Sequence, residues 1–134
     1  MFFRCTQVIP TNIARSHLRL RAARKNAHGL QIMTMPELAA RLAGGFLQMP
    51  SRDSLQTAMA DALEACEFSE LETVKDLPGM VRTAVTTINR AWLANVPLEG
   101  EHARLQDLAK LEAAVLERLP ASTRRPSDLA NLAI

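Results

Sequence analysis

Two short apolar stretches, each running straight into a threonine-opened helix, constrain this chain more than any other feature. The first ends at Val8-Ile9-Pro10 and passes into Thr11-Asn12-Ile13-Ala14-Arg15. The second, Leu30-Gln31-Ile32-Met33, passes into Thr34-Met35-Pro36-Glu37. Residues 2–9, rich in Phe, Val and Ile, read as a buried strand stopped by Pro10. Thr11 is a good N-cap for a helix running to about Asn26, because its hydroxyl can accept a first-turn N–H. Ile13, Leu20 and Ala23 are expected to share one face of that helix, with Ala14 and Leu18 beside them. His28-Gly29 should end it, with Gly29 as the left-handed cap. Two strands joined by one helix of this length are expected to lie parallel and adjacent, with the helix as the crossover.

Thr34-Met35-Pro36-Glu37 has the form of a capping box, and proline is tolerated in a first turn. The helix it opens, Glu37 to Ala43, should stop at Gly44-Gly45. Beyond Pro50 the pattern is helical throughout. Ser51 caps a helix to about Cys66, with Leu55, Met59, Ala62 and Leu63 on one stripe. Phe68 to Val74 reads as a short helical turn, and Asp76-Leu77-Pro78-Gly79 as a break. Met80 to Ala94 carries Val81, Ala84, Val85, Ile88 and Trp92, so Trp92 is read as a core anchor. Glu101 to Leu119 directs Leu105, Leu108, Leu111, Val115 and Leu119 inward. Ser127 would cap a last helix. It reaches Ile134 as an amphipathic start without a conclusion, which reads as a partial domain that a partner or further chain completes. The expected organisation is an α/β piece over 1–50, with two parallel strands and a crossover helix. An all-helical segment over 51–134 follows it.

Charge is unevenly placed. Residues 1–36 hold Arg4, Arg15, Arg19, Arg21, Arg24 and Lys25 and no acid, a balance of +6, which leaves −4 for the rest. Such a segment attracts phosphate. Arg21, Arg24 and Lys25 also suit a helix C-terminus by complementing its dipole. A mitochondrial presequence is disfavoured because Val8-Ile9-Pro10 interrupts the segment where its helix should be continuous. Cys5 and Cys66 have no CxxC spacing or histidine neighbours, so they are expected to be buried apolar residues in a reducing cytoplasm. No apolar run is long enough to span a membrane.

Familiar catalytic signatures are absent. There is no GxxxxGK[ST] phosphate loop, no HExxH and no GxSxG, and Gly44-Gly45 follows a helix without a lysine. His17, His28 and His102 lack an evident carboxylate or cysteine partner, and Glu64, Glu67, Glu70 and Glu72 read as a solvated face. The strand-exit residues are the constellation with functional promise. Thr11, Asn12 and Thr34 offer hydroxyls, an amide and free backbone N–H groups at the edge where open α/β sheets bind ligands. Helix capping is the plainer role for the same residues.

Pro10-Thr11-Asn12-Ile13-Ala14-Arg15 resembles the Thr-Asn-x-Ala-Ala segment of UvrD-like helicases, which touches single-stranded DNA. Met33 to Leu42 resembles their next motif, although Pro36-Glu37 stand where that motif has His-Ser. Three further stretches resemble the AddB-type subunits of bacterial helicase–nucleases, a PD-(D/E)xK nuclease family. They are Leu38 to Phe46, Asp76 to Arg82 and Leu108 to Pro120. The resemblance implies the first piece of a DNA-repair subunit, with a motor domain lacking the ATP loop and the nuclease residues lying beyond Ile134. On this reading the chain has no chemistry or cofactor of its own. It offers single-stranded DNA a weak surface made by Thr11, Asn12, Arg15, Arg19 and Thr34, and its protein partner is the other helicase–nuclease subunit. The rival expectation is a small helical interaction module whose apolar faces a partner completes.

Overall fold

The computed structural model describes residues 4–134. By internal contacts the chain divides into two compact units, Met1–Gln48 with Leu129–Ile134, and Met49–Asp128.

The first unit is α/β. Strand β1 (Cys5–Ile9) leads through helix α1 (Asn12–Arg24) to strand β2 (Leu30–Thr34) and directly into helix α2 (Met35–Leu42). The two strands pair in parallel, with Cys5 opposite Leu30 and Ile9 opposite Thr34. The crossover helix follows from the sequence, since parallel neighbours cannot be joined by a tight turn. Residues 2 and 3 of the expected first strand lie outside the described residues.

Burial in this unit corrects three expectations. β1 is not a buried strand: Cys5 to Val8 are exposed and only Ile9 is enclosed. It has one hydrogen-bonded neighbour in a two-stranded sheet, so little covers it. Cys5 is therefore exposed, and Cys66 is half-buried. The inward stripe of α1 is Ala14, Leu18 and Ala22, all half-buried at four-residue spacing, whereas Ile13 is 78% and Leu20 53% exposed. Ile13 and Leu20 lie half a helical turn away from that stripe. The double change Ile13→Ser/Leu20→Ser should therefore move stability by no more than about 0.5 kcal/mol in urea unfolding. A loss several times larger would mean that the outer face of α1 is covered.

Helix ends in the first unit are set by left-handed residues. α1 closes on Asn26 (φ 49°), not on Gly29. Asn26 N–H donates to Ala23 C=O at 3.2 Å and Ala27 N–H to Ala22 C=O at 3.0 Å, the paired bonds of a Schellman cap. Gly29 (φ 79°) instead turns the chain into β2, and its carbonyl accepts Cys5 N–H at 3.0 Å. α2 ends on Gly44 (φ 118°), and Gly45 N–H donates to Ala40 C=O at 3.1 Å. A Cβ at Gly44 would meet no neighbour, so its requirement is conformational rather than spatial.

The second unit is helical: α3 (Arg52–Ala65), a 3₁₀ turn at Leu71–Thr73, α4 (Met80–Ala94) and α5 (Ala103–Arg118). α6 (Pro126–Leu132) begins at its end and runs into the residues grouped with the first unit. Ser51 caps α3, its hydroxyl accepting Ser54 N–H at 3.1 Å. α3 packs against both α4 and α5. Leu55, Met59, Ala62 and Leu63 meet Ala84, Ile88, Trp92, Leu111 and Val115 in one core. These residues belong to the expected stripes, and burying them is what stabilises the unit. Leu105 and Leu108, expected to point inward on α5, are only half-buried and lie outside this core, while Ala114 belongs to it. Trp92 is a core residue, 4% exposed, and its indole N–H donates to Glu112 Oε1 at 2.5 Å. Arg125 reaches the same oxygen at 3.3 Å and forks onto the Asp128 carboxylate at 2.9 and 3.1 Å. Ser127 does not cap α6, which opens one residue earlier at Pro126, a favoured first-turn position.

Asp107 is the buried charge that the sequence pattern passed over. Its carboxylate accepts the backbone N–H groups of Ser69 (2.9 Å), Glu70 (2.7 Å) and Leu71 (3.0 Å), fixing the 3₁₀ turn against α5. Arg104 and Lys110, three residues to either side, hold Glu70 Oε2 at 2.6 Å and Glu67 C=O at 2.5 Å. The glutamates of this stretch are thus partly engaged. Glu72 accepts Phe68 N–H at 2.9 Å and pairs with Lys75 at 2.5 Å. Among the described residues, no helix is long and apolar enough to cross a membrane.

Candidate nucleic-acid interface

Parallel pairing carries both strand exits to the same edge of the sheet. Ile9 lies opposite Thr34, so Thr11-Asn12 and Thr34 leave the sheet side by side, and α1 and α2 both begin there. Thr11 has the extended backbone of an N-cap (φ −141°, ψ 155°), but its side chain makes no capping bond, which corrects the expected role of its hydroxyl. Thr11 and Asn12 are exposed. The first turn of α1 holds no acid, so its free N–H groups and dipole end are not neutralised locally.

Thr34 is half-buried, and its N–H donates to Glu37 Oε2 at 2.9 Å, the carboxylate half of the capping box. The same oxygen is ion-paired with Arg15. Glu37 therefore joins the two strand exits, taking a backbone N–H from one helix start and a guanidinium from the other helix. Arg15 first, then the Thr34 N–H, hold the Glu37 carboxyl below its ordinary value, and Glu37 in turn raises Arg15. The Arg15 side chain is 22% exposed, and its Nε is enclosed without a hydrogen-bond partner among the described residues. Arg19, one turn along the same side of α1, is exposed and makes no ion pair among the described residues.

No family model, curated protein or solved structure matches this chain. The arrangement is thus read from its own geometry. It brings Thr11, Asn12, Arg15 and Thr34 together at one edge and sets Arg19 beside them. Glu37 is the member that the strand-exit pattern did not assign to the site. The capping-box spacing placed it against Thr34, but nothing local points to Arg15, twenty-two residues earlier. Chemically, the edge offers hydroxyl, amide, backbone and guanidinium donors to an oxyanion. Among the described residues, no group of three His, Cys, Asp or Glu side chains is placed to hold a metal ion.

Proposed function

We propose that this chain is a non-catalytic piece of an AddB-type DNA-repair subunit, presenting the β1/β2 exit edge to the backbone of single-stranded DNA. The observation that carries the reading is the convergence of Thr11, Asn12 and Thr34 at the carboxyl ends of two adjacent parallel strands. Two things support it. The unit containing this edge holds seven Lys and Arg residues and a single acid, Glu37. That acid already takes an Arg15 guanidinium and a helix-start N–H, the kinds of donor a phosphate uses. Binding is weak and independent of sequence, because the donors address the backbone and not base edges. The partner is the second subunit of a cytoplasmic helicase–nuclease.

The test compares two double variants that remove equal charge. Arg15→Ala/Arg19→Ala alters the edge. Arg82→Ala/Arg90→Ala alters exposed cations of α4 whose side chains make no hydrogen bond or ion pair among the described residues. Binding of an oligothymidylate by fluorescence anisotropy should weaken only in the first. Its salt slope should shrink by about 0.7 for each phosphate that is no longer neutralised. Equal weakening in both means bulk attraction and removes the site. If the protein does not bind DNA at all, the interaction-module reading takes its place. That reading draws on Met35 (62% exposed), Leu42 (62%) and Phe46 (90%), apolar side chains in and just after α2 that are exposed among the described residues.

A further inference from the structure

Away from the strand-exit edge, α1 and the sheet border an open, shallow hollow of about 250 Å³. Leu18, Ala22 and Leu30 form its apolar floor, and Gln7, Arg21 and Lys25 its polar rim. Arg21 and Lys25 stand four residues apart, so their charges face the same side of the helix and repel. Neither makes an ion pair among the described residues. The one acid of the unit, Glu37, is engaged by Arg15 and Thr34. The carbonyl end of α1 accounts for cations at this position. It does not account for an apolar hollow beneath them.

We propose that this hollow binds a small amphipathic organic anion. Its carboxylate or phosphate head lies between Arg21 and Lys25, and its short apolar body rests on Leu18, Ala22 and Leu30. The Gln7 amide supplies a neutral donor or acceptor beside the head group. The hollow holds the volume of roughly eight water molecules, which sets the ligand at a comparable number of non-hydrogen atoms. It lies below the range of pockets that take drug-sized molecules, about 300–1,000 Å³. The cations supply attraction and orientation, and the floor supplies preference for a ligand with an apolar body over a bare anion.

The experiment is a ¹H–¹⁵N titration of the full chain with hexanoate, set against hexanol and inorganic phosphate as apolar-only and charge-only probes. Hexanoate should produce saturable shifts confined to Gln7 and residues 18–30, and should bind at least about tenfold more tightly than either control. The Arg21→Ala/Lys25→Ala variant should bind hexanoate about tenfold more weakly, with its shifts elsewhere unchanged. Hexanol binding as well as hexanoate would remove the cations from the site. Phosphate binding as well would remove the floor. Linear, unsaturated shifts with hexanoate would overturn the proposal without touching the strand-exit reading, which rests on other residues.

Discussion

Replacing Asp107 with alanine should lower the stability of the helical unit by about 3 kcal/mol in urea or thermal unfolding. The carboxylate is 5% exposed and satisfies three successive backbone N–H groups, Ser69 to Leu71. Alanine leaves all three without that acceptor, and buried donors without partners are costly. Asparagine should do little better, because it keeps one acceptor oxygen and turns an NH₂ towards donors. The pH dependence gives a second readout. Burial pushes the Asp107 carboxyl up, but the Ser69, Leu71 and Glu70 N–H groups, with Lys110 nearby, more than reverse this and hold it below its ordinary value. A carboxyl depressed by folding stabilises fully above its unfolded value, about 3.9 for aspartate, and that contribution fades as pH falls through the folded value. The gap between the native protein and Asp107→Asn should therefore be widest near neutrality and narrow below about pH 4. Glu37 is depressed in both proteins and cancels, whereas Glu72, which the Asp107 charge pushes up, loses that push in the variant. The difference therefore reports Asp107 together with a small further lowering of Glu72. A gap that stays constant down to acid pH would mean that the ionised form is not what holds the 3₁₀ turn.

What was legible in the sequence was local. Each strand-to-helix passage carries its own signals within a few residues: an apolar run, a capping residue and a proline. The stripes of α3, α4 and α5 repeat at helical spacing between Pro and Gly breaks, so their buried faces could be read directly. The misreadings come from choices that only tertiary contacts decide. α1 has apolar residues on opposite sides, Ile13 and Leu20 against Ala14, Leu18 and Ala22, so its periodicity does not say which side meets the sheet. Asn26 and Gly29 both favour left-handed backbone, and the Schellman bonds formed on Asn26. Asp107 lies four residues before Leu111 on a buried stripe, so its burial was readable. Its partners, thirty-six to thirty-eight residues earlier, were not. At the candidate interface, the strand exits were visible as motifs. Their meeting point depends on the Ile9–Thr34 register, and the Arg15–Glu37 pair appears only once the strands are aligned.

The Arg15–Glu37 pair yields the sharpest test of the proposed interface, because Glu37 occupies donors that a phosphate would need. Glu37→Gln should raise affinity for single-stranded DNA about tenfold at low salt, the scale of one additional charge-assisted hydrogen bond. It frees the Arg15 guanidinium from its carboxylate and leaves the Thr34 N–H open to a phosphate oxygen or to the glutamine side chain. The salt slope should steepen by about 0.7, the value for one further phosphate neutralised on a single strand. Removing a negative charge also raises affinity everywhere by a smaller, non-specific amount. Glu101→Gln measures that amount, because Glu101 is exposed and its side chain makes no hydrogen bond or ion pair among the described residues. Equal increases in the two variants would show that Glu37 does not compete for the interface. A weaker complex in Glu37→Gln would show that Glu37 positions Arg15 and the Thr34 N–H for the DNA instead of competing with it, and would overturn the competition argued here. The cost to folding should stay near about 1 kcal/mol, the usual value of a missing helix cap, so the variant remains testable as a folded protein.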